Sequence, residues 1–304
     1  MKVGKGKIKD AVKSGRILVS DGAWGTFIQQ KGLKPGECAE LWCLTHPGDI
    51  LDIARSYVTA GADMIETNSF GGTVYKLERF GLADRVGEIN EAAARLSVEA
   101  AGPDLWVIAS VGPTGKILLM GDVEAEDVYQ AFKEQTMALA KGGAEALCIE
   151  TMSAIDEATL AIRAARENTG CEVICTFTFE RTVKGEYRTM MGVAPADAAR
   201  AAIEAGADII GANCGNGMKQ MVEIVKEMRT VAPEVPILVH ANAGLPQMAD
   251  GAVVYPETPA EMAALVPELV KAGVNIIGGC CGTTPGHIKA VKEAVKRLRI
   301  SPSL

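Results

Sequence analysis

Short apolar runs alternate with longer amphipathic stretches along the whole chain. The runs are Ile17–Ser20, Met64–Thr67, Leu105–Ser110, Ala146–Glu150, Glu172–Phe177, Ile209–Ala212, Ile237–His240 and Val274–Gly278. Near-continuous apolar runs of this length mark strands buried on both faces, as in a parallel sheet. Between them, helical periodicity predicts helices over Arg85–Ala100, Glu124–Lys141, Ile155–Asn168, Ala196–Ala205, Met218–Thr230 and Pro259–Lys271. A last helix is predicted from about Pro285 to Arg297. Eight strand–helix units is the count of a closed parallel (β/α)₈ TIM barrel, so an α/β fold with one domain spanning 1–304 is expected.

An internal repeat supports one architecture. Ala60-Gly61-Ala62-Asp63, Gly142-Gly143-Ala144-Glu145, Ala205-Gly206-Ala207-Asp208 and Ala272-Gly273-Val274-Asn275 each precede or open a strand. In each, a glycine follows a helix where a left-handed C-cap is expected. The longest irregular piece, Gln29–Gly48, is expected to form a lid-like loop after the first strand.

In such a barrel the strands run out into the loops that carry the chemistry. The last run ends in Gly278-Gly279-Cys280-Cys281-Gly282-Thr283-Thr284-Pro285. A disulfide between sequence neighbours is strained. Both sulfurs converge only if the strand stops and the backbone turns, which Gly279 and Gly282 permit. Thr283 or Thr284 would cap a helix with Pro285 at its first position, its positive end near the sulfurs. Taken alone, the octet also fits a phosphate loop or a tight turn. The sixth run ends in Asn213-Cys214-Gly215, so a third cysteine would face the pair across the barrel mouth. Three thiolates with an open fourth position describe a catalytic zinc site. Cys148, Cys171 and Cys175 read as small apolar residues in or beside strands. Cys38, Cys43 and His46 lack a fourth local ligand and a usual zinc spacing. His240 reads as a core imidazole and His287 as a surface helix residue.

Composition narrows the class. The chain has 304 residues, 48% of them hydrophobic, and a formal net charge of −7. A nucleic-acid partner is therefore not expected. The one basic cluster, Lys2, Lys5, Lys7 and Lys9, reads as the solvated face of a first helix. No run is long enough to span a bilayer, the N-terminus has no signal-type apolar region, and eight cysteines lack compact secreted spacing. A soluble cytoplasmic protein is expected.

The strand-end motifs together resemble the homocysteine S-methyltransferases, especially the N-terminal homocysteine-binding barrel of cobalamin-dependent methionine synthase. The motifs are Asp21–Thr26, Glu66–Phe70, Gly112–Gly115, Ile149-Glu150-Thr151, Asn213-Cys214, Asn242–Gly244 and Gly278–Pro285, spread over about Ile17 to Leu298. The resemblance places Zn²⁺ on Cys214, Cys280 and Cys281. Asn242 would be a neutral fourth ligand displaced by the substrate sulfur. It also implies Asp21 and Glu150 as carboxylates holding the homocysteine ammonium, with Asn68 and Asn213 among the substrate-binding residues. Backbone amides of Gly22 and Ala23 are placed to receive the substrate carboxylate. The chemistry agrees: a free thiol is mostly protonated at neutral pH, and zinc fixes it as a nucleophilic thiolate.

The loop Gly215-Asn216-Gly217 is shorter than in that branch, and Met190 and Met191 are expected to line an apolar wall. The chain ends at Leu304 without a folate or corrinoid region, so the methyl donor is expected from outside: a separate corrinoid protein, methylcobalamin or a sulfonium. The expected reaction methylates homocysteine to methionine. The alternative is the zinc methyltransferase component of a corrinoid-dependent demethylase, passing methyl from a small molecule to a cobalamin protein. A metal-free phosphate-binding isomerase has no use for Cys214, and a non-catalytic zinc scaffold would not leave its metal site open.

Overall fold

The computed structural model describes residues 5–249 and 252–300. Eight parallel strands carry the fold: β1 (Leu18–Val19), β2 (Met64–Glu66), β3 (Trp106–Val111), β4 (Ala146–Met152), β5 (Glu172–Phe177), β6 (Ile209–Asn213), β7 (Ile237–Ala241) and β8 (Ile276–Gly279). They lie in one sheet in the order β1-β8-β7-β6-β5-β4-β3-β2, a nearly closed barrel ringed by helices. The two ends of that order are joined by single bonds at a seam. Asp63 N–H donates to Val19 O at 2.6 Å, and the Asp63 and Asp21 carboxylates accept Val19 N–H and Glu66 N–H at 2.8 Å.

The repeated turn does one job four times. Asp63, Glu145, Asp208 and Asn275 each donate a backbone N–H to Val19, Val107, Val173 and Ile237 respectively. Each side chain then accepts the N–H of that same residue, at 2.8, 3.1, 3.0 and 2.9 Å. The fourth position of the repeat is thus a two-point clamp on a neighbouring strand. Gly61, Gly143, Gly206 and Gly273 all have positive φ, as the C-cap reading requires.

A short first helix, α1 (Ile8–Lys13), closes the barrel floor. Ile8, Ala11 and Val12 pack on strand-opening residues including Leu18, Met64, Trp106 and Ile174. The Glu172 carboxylate accepts the N–H groups of Ile8 and Lys9 at 2.6 and 3.0 Å. Lys5 and Lys9 pair with Glu145 and Asp208 at 2.7 Å, so they are anchors and not a solvated face; Lys2 lies outside the described residues.

Other expectations need correction. Gln29–Gly48 is partly helical, holding the end of Gly25–Gln30, the turn Trp42–Thr45 and the start of Pro47–Ala60, a helix whose apolar face periodicity alone did not single out. Two surface hairpins, Glu180–Arg181 with Tyr187–Arg188 and Gln247–Ala249 with Ala252–Val254, follow β5 and β7. The helix expected over Pro259–Lys271 breaks at Leu265, because Pro267 cannot donate a helical N–H. Met190 is 76% exposed and Met191 37%, so neither forms an apolar wall. His287 is buried, its ring held by Thr284 and Glu257 O. Among the described residues, no helix is long and apolar enough to cross a membrane.

Candidate metal and substrate site

The C-terminal strand ends enclose a cavity of about 380 Å³, the size of small-molecule sites. Cys214, Cys280 and Cys281 stand in its wall, their sulfurs all within 4.8 Å of one another. Cys214 and Cys281 sulfurs are 3.9 Å apart. Two backbone devices bring them together. Cys214 sits at φ 59°, followed by Gly215 at φ 68°, so the chain turns sharply as β6 ends. After β8, Cys280 N–H donates to Ala241 O at 2.7 Å and Gly282 takes φ 80°. Gly279 serves by size and not by positive φ: a Cβ there would meet Thr283 Oγ1 at 2.3 Å. Thr283 does not cap the following helix. Its hydroxyl accepts Ala23 N–H at 3.0 Å, tying this turn to the loop after β1.

The donor set fits zinc. Three sulfur ligands on two strand ends leave one position open, the pattern of a catalytic site. Hydrogen bonds from Cys214 and Cys280 hold the Cys281 thiol well below its ordinary range, with the Tyr255 hydroxyl contributing. Asn242 is buried, and its Oδ1 has no hydrogen-bond partner among the described residues, as suits a weak neutral ligand. Cys38, Cys43 and His46 go elsewhere. Cys38 donates to Glu40, Cys43 to Asn68 O, and His46 stacks on Trp42. Cys148 and Cys175 are buried and Cys171 half-buried, as expected of small apolar residues.

Glu66, Glu150 and His240 also line the cavity, with candidate ligand atoms within 4.8 Å of one another. Ser110 hydroxyl donates to Glu150 Oε1, and Asn213 Nδ2 donates to Oε2 at 3.1 Å. Asn213 is spent: its Oδ1 accepts Thr151 N–H and Thr176 Oγ1–H at 2.8 and 2.7 Å, so it stands behind Glu150 and orients it. Thr151 has φ 60°, a second non-glycine in the left-handed region. Asn68 lines the cavity but gives its Nδ2 to Ala39 O at 2.7 Å.

Asp21 differs from its expected place. It is 0% exposed and does not line the cavity. Its carboxylate accepts Glu66 N–H at 2.8 Å, Trp24 Nε1–H at 3.0 Å and Ser20 Oγ–H at 3.3 Å. Glu66 is the carboxylate presented instead. Its Oε1 is buried without a hydrogen-bond partner, 3.5 Å from His240 Nδ1. Burial pushes Glu150 up to about 7 and Glu66 well above the carboxylate range, and pushes His240 down to about 4. None of the cavity-lining residues is Lys or Arg. A pocket with two buried, destabilised carboxylates and no cation is built for a cationic group. Glu66 and His240 escaped the sequence reading as site residues because each sits in an apolar strand run, with nothing local to tell wall from core. Of the amides expected for a carboxylate, Ala23 is spent on Thr283, while Gly22 N–H has no partner among the described residues.

A parallel barrel whose strand ends gather three thiols beside two buried carboxylates is a scaffold for chemistry on sulfur. Residues 18–295 match the sequence profile of the homocysteine S-methyltransferase family, and the chain belongs to that family. It is 34% identical over 307 residues to the methionine synthase of Mycobacterium tuberculosis and 35% over 301 residues to that of Mycobacterium leprae. The matches cover 95% and 93% of this chain but only 25% and 24% of those proteins, so the chain spans about a quarter of their length. Its fold matches the metallated homocysteine methyltransferase MmuM of Escherichia coli with a TM-score of 0.76. The identity is 22%, over 93% of this chain and 98% of that one.

Proposed function

We propose that this protein is a zinc-dependent methyltransferase that methylates homocysteine to methionine, with the methyl donor supplied from outside the chain. The observation that carries the reading is one cavity lined by three convergent thiols and by two buried carboxylates. Cys214, Cys280 and Cys281 would hold the zinc, with Asn242 completing its shell until substrate arrives. The bound metal supplies Lewis acidity that keeps the homocysteine sulfur deprotonated at neutral pH.

The chain's own residues do the rest. Glu150 and Glu66 pair with the substrate ammonium, which relieves their burial and draws both to the ionised form. Asn213 and Ser110 hold Glu150 at its post, and the Gly22 amide receives the substrate carboxylate. Fixing both ends of the amino-acid group leaves the side chain one direction in which to extend, toward the cysteines. His240, kept neutral by burial, adds no competing positive charge. The resemblance to the barrel of cobalamin-dependent methionine synthase favours a corrinoid-borne methyl group, while the anionic thiol cluster suits a small sulfonium.

The test is turnover by zinc-loaded protein of homocysteine with methylcobalamin, a methylated corrinoid protein or S-methylmethionine. Methionine formed with a corrinoid donor is the expected result. Turnover with the sulfonium alone would reassign the donor. No methionine with any donor, together with cobalamin methylation from another methylated compound, would replace this reading with the demethylase one.

A further inference from the structure

We propose that the loops following β2 and β3 form an oxyanion-binding site in which Lys76 and Arg79 converge on Gly115, with Lys116 next to it in the chain, to take a phosphate or carboxylate group. This site does not depend on the methyl-transfer reading. Lys76 lies on the helical turn Val74–Leu77 and Arg79 on the following turn Glu78–Phe80. A methyl group built on Gly115 would lie 3.2 Å from both Lys76 Nζ and Arg79 Nη2. The two cations therefore point at one spot. Gly115 keeps that spot open, and its φ of 79° disfavours any side chain there. Lys116 follows Gly115 directly, its Nζ lying over the Tyr75 ring at 5.4 Å from the ring centre.

Among the described residues none of the three cations has an ion-pair or hydrogen-bond partner for its charged group. The carboxylates nearest Lys76 are already engaged. Glu157 accepts the Thr114 N–H and hydroxyl at 2.8 and 2.5 Å, and Glu40 accepts Gly71 N–H at 2.7 Å. Burial, and then the charge of Arg79, push Lys76 below its ordinary range. Unpaired cations held together, one of them half-buried, are unfavourable until an anion sits between them. The chain's net charge of −7 makes this spot an exception to its general field. Lys76, Arg79, Gly115 and Lys116 do not line the substrate cavity, but Phe70 connects the two: it lines the cavity and its ring lies against Gly112. Leu119, 84% exposed, and Met120, 76% exposed, follow in the same loop and offer an apolar surface to whatever carries the anion.

The probes are inorganic phosphate and phenyl phosphate, titrated calorimetrically into the full chain at fixed ionic strength in chloride. Both are expected to bind saturably. Arg79→Ala, at an exposed position with no bonded partner, should weaken both by roughly tenfold or more, since it removes a charge-assisted contact. Lys116→Ala should weaken both by a smaller factor, with thermal unfolding of each variant unchanged. Leu119→Ser separates the sources. Weaker phenyl phosphate with unchanged phosphate assigns the site to an oxyanion on a larger apolar molecule, and no difference assigns it to free phosphate. Absence of saturable binding by either probe, or full binding by folded Arg79→Ala, overturns the site.

Discussion

Glu66 and Asp21 sit back to back, and the structure gives them opposite jobs that a pair of substitutions separates. In Glu66→Gln the cavity keeps its shape, because the side chain is isosteric and Oε1 has no partner to lose. What disappears is the charge facing the substrate ammonium. A hydrogen bond to a charged group is worth about 1.5–3 kcal/mol, so homocysteine should bind roughly tenfold to a hundredfold more weakly. The folded protein should not suffer. Burial raises the Glu66 pKa well above its unfolded value, so near neutral pH its carboxylate form opposes folding, and glutamine removes that cost. Asp21→Ala does the reverse. It strands the buried Glu66 N–H and Trp24 Nε1–H, each costing about 1–3 kcal/mol, and relief of the burial that raises the Asp21 carboxyl to about 7 offsets part of this, so stability should fall by roughly 1–4 kcal/mol. Calorimetric titration with homocysteine, denaturant unfolding and zinc content on both variants form the assay. If Asp21→Ala keeps wild-type stability while Glu66→Gln keeps wild-type affinity, the assignment is refuted.

Three further outcomes are expected. Cys214→Ser should release most of the zinc and abolish methyl transfer while the fold persists; full zinc occupancy by metal analysis would remove Cys214 from the site. Methionine carries the ammonium but no ionisable thiol. Because binding ionises both Glu150, with a pKa near 7, and Glu66, which titrates higher, methionine's affinity should fall more than tenfold per unit as pH drops below 7 and keep rising above it; Glu150→Gln should bind weakly with a shallower profile, and an unchanged profile would clear Glu150. Glu172→Ala should lower stability by roughly 1–3 kcal/mol, because two N–H groups opening α1 lose their acceptor; an unaltered denaturation midpoint would mean that α1 contributes nothing to closing the floor.

The barrel was legible because both of its signals are local. Strands buried on two faces must be apolar throughout, and a helix that turns straight back into a strand needs glycine at its left-handed cap. The repeat read as four turns; its clamp function emerged only with the neighbouring strands in place, since Asp63 and Val19 are far apart in the chain. The thiol site was legible for a different reason: cysteine beside glycine at a strand end is rare chemistry in a conspicuous position. Of the carboxylates, Glu150 was named and does line the cavity, but the choice between Asp21 and Glu66 was not legible. Asp21 and Glu66 both end apolar runs, and which of them faces the cavity depends on how β1 and β2 meet at the seam, a three-dimensional fact with no imprint on spacing. The same holds for Lys5 and Lys9, whose partners lie on the floor more than a hundred residues away.

The left-handed backbone at Cys214 and Thr151 has a consequence for how this chain can change over generations. Neither residue is comfortable there; glycine would relax the backbone, a gain on the order of 1 kcal/mol. At position 214 the relaxed choice abolishes the thiol. Selection for methyl transfer and selection for stability thus pull one codon in opposite directions. A duplicate freed from the chemistry would gain stability by losing Cys214 to glycine, while Gly282 and the floor clamps, which cost the fold nothing, would stay. Descendants that keep the barrel but have lost the reaction should therefore be recognisable by glycine at this position and by melting temperatures above those of their active relatives.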